Sequence, residues 1–294
     1  MDAAQASSRI LFVGNSHTYQ PKELGGLPGA FARVVRSSDG VEMHTDSVHQ
    51  GGADLLDLWE QFEEWWRETA GDYHTVVLQI GAGMDEAAQA GHQLLEALEM
   101  CYGPLLAAKN TQVVLYQTWA GPHPQQLAAE LMQRHAMACR AALLKAGAAL
   151  DVRIAHAGHA FLALRDHGLL YPALWKDDSG HASALAGILV ALVLARVMGF
   201  AAEPRRPLAR IVESILPPAW RTASLGFTGE AQSLGQKGWN ESARGSNQMA
   251  NLVEEDDQPL SKYPPGMRTE RRDLGIEPGS DVVAAATSAV QVWA

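Results

Sequence analysis

The chain has 294 residues, of which 47% are hydrophobic and 19% charged, so it has ample apolar material for a packed core. Its 33 acidic and 23 basic side chains give a formal charge of −10, which disfavours nucleic acid or an anionic membrane as a partner. No apolar run of about 18 residues predicts a membrane span, and the start has no basic segment followed by an apolar one. We therefore expect a cytoplasmic protein, unless a leader has been removed from this start.

Short β-branched runs alternate with helical patterns from residue 9 to about residue 200. Five runs predict the strands of a parallel sheet, at 9–13, 41–48, 75–80, 112–118 and 150–155. Four segments with helical spacing lie between or after them, at 54–68, 87–109, 125–146 and 183–198. This alternation predicts an α/β fold, a three-layer α/β/α domain built on a five-stranded parallel sheet.

Two features of this region are interpreted as core. The Leu, Trp and Phe side chains of 54–68 recur at three- and four-residue steps, which is typical of a helix face packed on a sheet. Cys101 and Cys139 have no CxxC spacing and lie in apolar helical stretches, so we expect buried thiols.

The composition of the sequence changes after Phe200. A further helix is predicted at 204–215, followed by a long segment rich in Gly, Ser, Asn and charge. We therefore divide the chain into one α/β domain at 1–220, a polar extension at 221–281 that forms a lid or an arm, and a C-terminal helix at 282–294 that docks on the core.

Three loops of the predicted domain carry chemically suggestive residues. Ser16 follows the first strand in the turn Gly14–Thr18, where a serine is lifted out of a parallel sheet. Gly52 lies in the next strand-to-helix turn, where its N–H group can face an anion. Asp178 stands three residues before His181, so its carboxylate can hold the imidazole as a general base; Asp177 is the rival carboxylate.

Together these segments resemble the conserved blocks of SGNH (GDSL-like) hydrolases. Residues 10–18 resemble a GNS variant of the first block, 114–119 the fourth strand of that subgroup, and 171–187 the final block. The resemblance covers about two-thirds of the chain. It implies a flavodoxin-like SGNH fold and a serine esterase that uses Ser16, Asp178 and His181 on a small-molecule ester, with no metal and no cofactor.

One part of the resemblance fails. The family carries an Asn after the third strand that donates to the oxyanion, whereas the aligned position here is Gly83. The oxyanion hole then consists of the Ser16 and Gly52 N–H groups with a different third donor. Gln79 is the preferred candidate, because the GNS-type members that this chain resembles carry a Gln at the end of the third strand. Asn15 is the second candidate.

Other residues and functions stay open at this level. His17, Trp119 and Trp175 are candidate pocket residues, although each has an equally good interpretation as packing. His156 and His159 have metal-ligand spacing without a third ligand, so a structural loop is the better interpretation. The alternatives to an O-acyl esterase, such as a carbohydrate O-acetyl esterase, are an acyltransferase using the same site, a catalytically silent ligand-binding SGNH domain, and a flavodoxin-like nucleotide binder. The sequence leaves homo-oligomer formation open.

Overall fold

The computed structural model describes residues 9–81, 88–119, 128–166, 174–175, 180–200 and 215. The helix predicted at 204–215, apart from Ile215 itself, and the predicted extension and C-terminal helix lie outside these residues. Among the described helices, none is long and apolar enough to cross a membrane.

Five parallel strands form a single sheet, as predicted, and their order is β2-β1-β3-β4-β5. Their bounds are β1 Arg9–Gly14, β2 His44–His49, β3 Thr75–Ile80, β4 Gln112–Gln117 and β5 Val152–Ala155. All six residues of β3 are buried because both faces of this central strand are covered. β2 pairs only with β1, and four of its six residues are exposed.

Helices cover both faces of the sheet, so the domain has the three-layer architecture predicted from the sequence. Their bounds are α1 Ser16–Tyr19, α2 Gly26–Asp39, α3 Leu55–Thr69, α4 Ala88–Ala97, α5 Gly103–Ala108, α6 Ala128–Ala146, α7 Ala157–Asp166 and α8 Ala184–Val197. The segment predicted as one helix at 87–109 consists of α4, a π-helical turn at Leu98–Tyr102 and α5.

The sheet separates two hydrophobic cores, one on each face, because successive side chains of a strand point to opposite faces. Ile10 and Phe12 of β1 pack with α2, α7 and α8, whereas Leu11 and Val13 pack with the helices of the other face. The helix α3 belongs to this second core: its Leu58 and Trp66 are fully buried, which confirms the interpretation of the aromatic stripe as packing.

Besides the four-residue α1, two longer helices and one thiol differ from the expectations. α2 and α7 have no counterpart among the predicted helices, and α7 begins inside the segment that was interpreted as a loop around His156 and His159. Cys139 is buried as expected, but Cys101 is only half-buried. The sequence missed both helices because glycines in their first turns argue locally against a helix.

Candidate active site at the carboxyl ends of β1 and β3

Strands β1 and β3 are neighbours in the sheet, but the chain between them first forms β2 on the outer side of β1. Crossover connections therefore leave this point of the sheet in opposite directions, and such a switch point opens a crevice beyond the carboxyl ends of the strands. The parallel register sets Val13 opposite Leu78, so the next residues, Gly14 and Gln79, lie side by side at this edge. A Cβ atom on Gly14 would overlap with the Gln79 amide, so only glycine leaves room for it.

Ser16 is the first residue of the short helix α1, directly after β1. Asn15 caps this helix, because its side-chain oxygen accepts a hydrogen bond from the His17 N–H at 3.2 Å. Ser16 and Asn15 are half-buried, whereas Thr18 is fully buried below them. The strand end and the cap therefore hold the serine at the mouth of the crevice.

The Gln79 side chain makes three hydrogen bonds to this turn, two with Asn15 and one with Thr18. Its Oε1 accepts from the Asn15 N–H at 3.1 Å and from the Thr18 hydroxyl at 2.7 Å, while its Nε2 donates to Asn15 Oδ1 at 2.7 Å. Gln79 is 7% exposed and its hydrogen bond to Thr18 is buried, whereas its two hydrogen bonds to Asn15 are part-buried. The sequence had placed Gln79 near the reaction as a donor and had assigned no role to Thr18, although Thr18 belongs to the GNS-like motif.

A cavity of about 150 Å³ opens beside this turn. It lies between the ends of β1 and β3 and the start of α3, and its lining consists of Gly14, Asn15, Ala53, Asp54, Leu55, Gln79, Gly81 and Leu94. The aliphatic side chains make part of the wall apolar, and the amides of Asn15 and Gln79 supply hydrogen-bonding groups. Ser16, Gly52 and His181 are not among the lining residues; the cavity adjoins the serine turn through Gly14 and Asn15.

Gly52 belongs to the turn before α3 and directly precedes Ala53, which lines this cavity. Its φ of +76° lies in the left-handed region, which favours glycine. The turn is fixed next to the serine loop, because the Gln50 N–H donates to the Gly14 carbonyl at 3.3 Å. The carboxylate of Asp54 caps α3 through the Asp57 N–H at 2.9 Å.

His181 is brought to the same place from the other end of the domain. Its ring centroid lies 5.6 Å from that of His17, the residue after Ser16. Hydrogen bonds hold the chain on both sides of His181: before it, the Trp119 indole N–H donates to the Gly180 carbonyl at 2.7 Å, and after it, the Ser183 N–H donates to the Leu174 carbonyl at 3.0 Å. Asp177, Asp178 and Gly83 lie outside the described residues.

Trp119 and Trp175, two of the predicted pocket residues, are 5% and 1% exposed. Trp119 stacks on Phe161 with centroids 4.1 Å apart, and Phe161 meets Trp175 edge-on at 5.8 Å. Neither tryptophan is among the residues that line the cavity. Both tryptophans contact the segment that carries His181, Trp119 through Gly180 and Trp175 through its bridge to Ala182. A role in a substrate pocket stays a prediction for both.

His17 lies between the two loops. Its ring meets Trp119 edge-on at 4.9 Å, and its Nδ1 is buried without a hydrogen-bond partner among the described residues. Burial, with a smaller effect of the neighbouring His181, lowers the pKa of His17 to about 4. His17 is therefore a neutral ring at neutral pH, packed between Trp119 and His181.

The half-buried His17, whose Nδ1 is enclosed, makes the stability of the protein depend on pH. The unfolded chain takes up a proton at this position below about pH 6.5, whereas the folded chain does so only near pH 4. The free energy of unfolding should therefore fall between pH 6.5 and 4, by about 2 to 3 kcal/mol from this residue, and level off below. Urea unfolding at pH 7 and pH 4.5 measures this change. His17→Gln should reduce it and exposed His44→Gln should not; equal pH dependence in the wild type and His17→Gln would contradict the assignment.

A second buried network lies at the end of β4, beside this site. Gln117 Nε2 donates to the Met132 carbonyl at 2.6 Å, and Gln117 Oε1 lies 2.8 Å from His159 Nδ1. His159 Nε2 is 3.2 Å from the Ala129 carbonyl. The network ties β4 to α6 and α7, which accounts for a buried histidine without a metal. Among the described residues, no group of three His, Cys, Asp or Glu side chains has metal-binding proximity.

Comparison with known proteins agrees on the fold. No protein-family model and no curated protein sequence matches the chain. Among solved structures, a mutant of Axe2, an acetyl-xylooligosaccharide esterase from Geobacillus stearothermophilus, aligns with a TM-score of 0.50 and 17% identity over 66% of this chain and 96% of that chain. A lipase/acylhydrolase from Enterococcus faecalis aligns with a TM-score of 0.46 and 16% identity over 67% and 97% of the two chains. The chain therefore has the SGNH hydrolase fold.

Proposed function

We propose that this protein is a serine ester hydrolase that cleaves a short O-acyl group through an acyl-enzyme. The observation that carries the proposal is the approach of His181 to α1, whose first residue is Ser16, through the 5.6 Å contact with His17. A serine hydroxyl is a weak nucleophile unless a base accepts its proton. A serine at the switch point of the sheet and a histidine beside its helix supply this pair.

In the proposed reaction, His181 accepts the proton of Ser16 while Ser16 Oγ attacks the ester carbonyl carbon. The tetrahedral intermediate carries its negative charge on the former carbonyl oxygen, which the N–H groups of Ser16 and Gly52 stabilise. The intermediate collapses to the acyl-enzyme, and His181 returns the proton to the departing alcohol. Water then attacks the acyl-enzyme with His181 as base; the bond between Ser16 Oγ and the acyl carbon breaks, the acid leaves, and His181 returns the proton to Ser16. Asp178 holds the imidazole in the required tautomer throughout.

Three features favour a small, uncharged substrate such as an O-acetylated sugar. The cavity of about 150 Å³ is small, its apolar wall suits a short acyl chain, and Asp54 at its edge disfavours an anionic acyl group. The formal charge of −10 disfavours anionic substrates further. Axe2, which shares the fold, is an acetyl-xylooligosaccharide esterase by name, so acetylated xylo-oligosaccharides are the first natural esters to offer.

The proposal is tested with the wild-type protein before any variant is made. We expect hydrolysis of p-nitrophenyl acetate, slower hydrolysis of longer acyl esters, and covalent labelling by a fluorophosphonate, with the label mapped to Ser16 by peptide mass spectrometry. A folded protein that neither hydrolyses the esters nor takes the label would overturn the proposal in favour of a silent ligand-binding domain.

The contact between Trp119 and Gly180 yields a prediction about activity at a distance. Trp119→Phe keeps a ring stacked on Phe161 but removes the N–H that holds the Gly180 carbonyl, so His181 loses an anchor. We expect kcat for p-nitrophenyl acetate to fall about 10- to 100-fold, because small displacements of a catalytic group are costly. Steady-state kinetics measures this. Tyr116→Phe, which removes a buried hydroxyl with no partner among the described residues, is the matched control and should keep wild-type kcat.

A further inference from the structure

The orientation of the Asn15 and Gln79 amides is determined by the backbone around them. The N–H groups of Asn15 and His17 can only donate, so each must face an oxygen. The His17 N–H faces Asn15 at 3.2 Å, and the Asn15 N–H faces Gln79 at 3.1 Å. Those two contacts identify Asn15 Oδ1 and Gln79 Oε1. It follows that Gln79 Nε2 donates to Asn15 Oδ1, at 2.7 Å.

This arrangement uses only one end of the Asn15 side chain. Asn15 Oδ1 accepts two hydrogen bonds, from the His17 N–H and from Gln79 Nε2. Asn15 Nδ2, which carries two N–H donors, makes no hydrogen bond to any residue that the structure describes. Asn15 also lines the cavity and directly precedes Ser16. An amide whose oxygen is fully engaged and whose nitrogen is unengaged is suited to donate to a ligand.

We propose that Asn15 Nδ2 is the third donor of the oxyanion hole and that Gln79 is the positioning residue that turns this amide toward the cavity. The proposal rests on the function proposed above. The sequence had favoured Gln79 over Asn15 as the third donor. The structure favours Asn15, because one of the two N–H groups of the Gln79 amide already donates to Asn15. The proposal also supplies a third donor in a chain that has Gly83 where the SGNH pattern it resembles has the donating asparagine.

An aspartate at position 15 separates the two roles of the side chain. Its Oδ1 can still accept from the His17 N–H and from Gln79, so the cap and the clamp on the turn are retained. The second oxygen, however, takes the place of Nδ2 and brings negative charge to the proposed oxyanion position. Asn15→Asp therefore removes the donor with the smallest change in the turn.

A glutamate at position 79 tests the positioning role. Its Oε1 can still accept from the Asn15 N–H and the Thr18 hydroxyl. The ionised second oxygen cannot donate to Asn15 Oδ1 and repels it, so the Asn15 amide is no longer held with Nδ2 toward the cavity. Because Gln79 also lines the cavity, the charge of the glutamate acts on the oxyanion directly as well, and Gln79→Met, which removes the donated hydrogen bond without adding charge, is measured beside it.

We expect Asn15→Asp to lower kcat for p-nitrophenyl acetate by ~100- to 1000-fold, and Gln79→Glu and Gln79→Met by ~10- to 100-fold, with KM within a few-fold of wild type. Binding of a trifluoromethyl ketone, which forms a tetrahedral oxyanion on Ser16, should weaken in proportion to kcat/KM. A purely structural effect would lower the unfolding temperature without this parallel. Asn110→Asp, the same change on the exposed residue that follows α5, is the matched control and should behave as wild type.

The outcomes separate this proposal from the one on which it rests. A wild type without hydrolysis or labelling overturns both. An active wild type with Asn15→Asp near wild-type kcat overturns the donor, and Gln79→Glu or Gln79→Met near wild-type kcat overturns the positioning role. If the variants fail to fold, the wild type labelled with ¹⁵N-asparagine decides: the Asn15 side-chain protons should shift downfield when the ketone binds, and unchanged Asn15 signals overturn the donor.

Discussion

Replacing Ser16 by alanine is expected to lower kcat for p-nitrophenyl acetate by about 10⁴- to 10⁶-fold and to abolish fluorophosphonate labelling. The substitution removes one oxygen from a half-buried helical residue, so KM and the unfolding temperature should stay close to those of the wild type. The residual rate would come from the oxyanion donors and from substrate binding alone. Steady-state kinetics with intact-protein mass spectrometry measures both effects.

The matched control for this variant is Ser37→Ala, because Ser37 is also a half-buried serine in a helix, but lies in α2. It should keep wild-type activity and full labelling. If Ser16→Ala retained activity while labelling persisted, the nucleophile would lie elsewhere and the proposed mechanism would fall, even if the protein remained an esterase.

Replacing His181 by glutamine is expected to cost about as much as the loss of Ser16, about 10⁴- to 10⁶-fold in kcat. Glutamine can hydrogen-bond to the Ser16 hydroxyl, but it cannot accept its proton, so the nucleophile is not activated. Because the two residues act as one unit, the double variant Ser16→Ala/His181→Gln should be no slower than Ser16→Ala alone. The measurement is a double-mutant cycle in kcat/KM.

Exposed His44→Gln, at the first residue of β2, controls for the loss of an imidazole elsewhere in the chain. It should leave kcat unchanged. Additive losses in the cycle would show that Ser16 and His181 act independently. That result would contradict a proton transfer from Ser16 to His181, although each residue would still contribute to the rate separately.

The site is assembled from short segments that are far apart in the chain. Asn15 and Gln79 are 64 residues apart, and Trp119 and Gly180 are 61 apart. Each segment adjoins a strand of the sheet or a helix packed on it, so a rigid scaffold holds residues that the loops alone would leave free. The buried Gln79 and Gln117 sit at the ends of adjacent strands and perform the same task, since each fixes the loops beyond its strand.

Sequence reasoning was most accurate where local pattern and final environment agree. Strand β3 is uniformly apolar and buried on both faces, and its predicted bounds match the observed ones. It was least accurate where packing overrides local preference. The first turn of α7 contains Gly158, which costs helix propensity, but a Cβ atom there would overlap with the Thr118 carbonyl. Only the neighbouring strand end explains why a helix tolerates glycine at that point.

The sequence by itself determined the order of strands and helices and the residue types at the strand ends, because both follow from periodicity along the chain. The positions of Ser16, Gly52 and His181 in the predicted loops made them candidates, and the resemblance to SGNH hydrolases added Gln79. The tertiary structure decided how these side chains are oriented. The β1–β3 register sets Gly14 beside Gln79, and backbone N–H groups then determine which end of each amide faces the turn and which faces the cavity. Such orientation depends on contacts between residues distant in sequence, which no local pattern encodes.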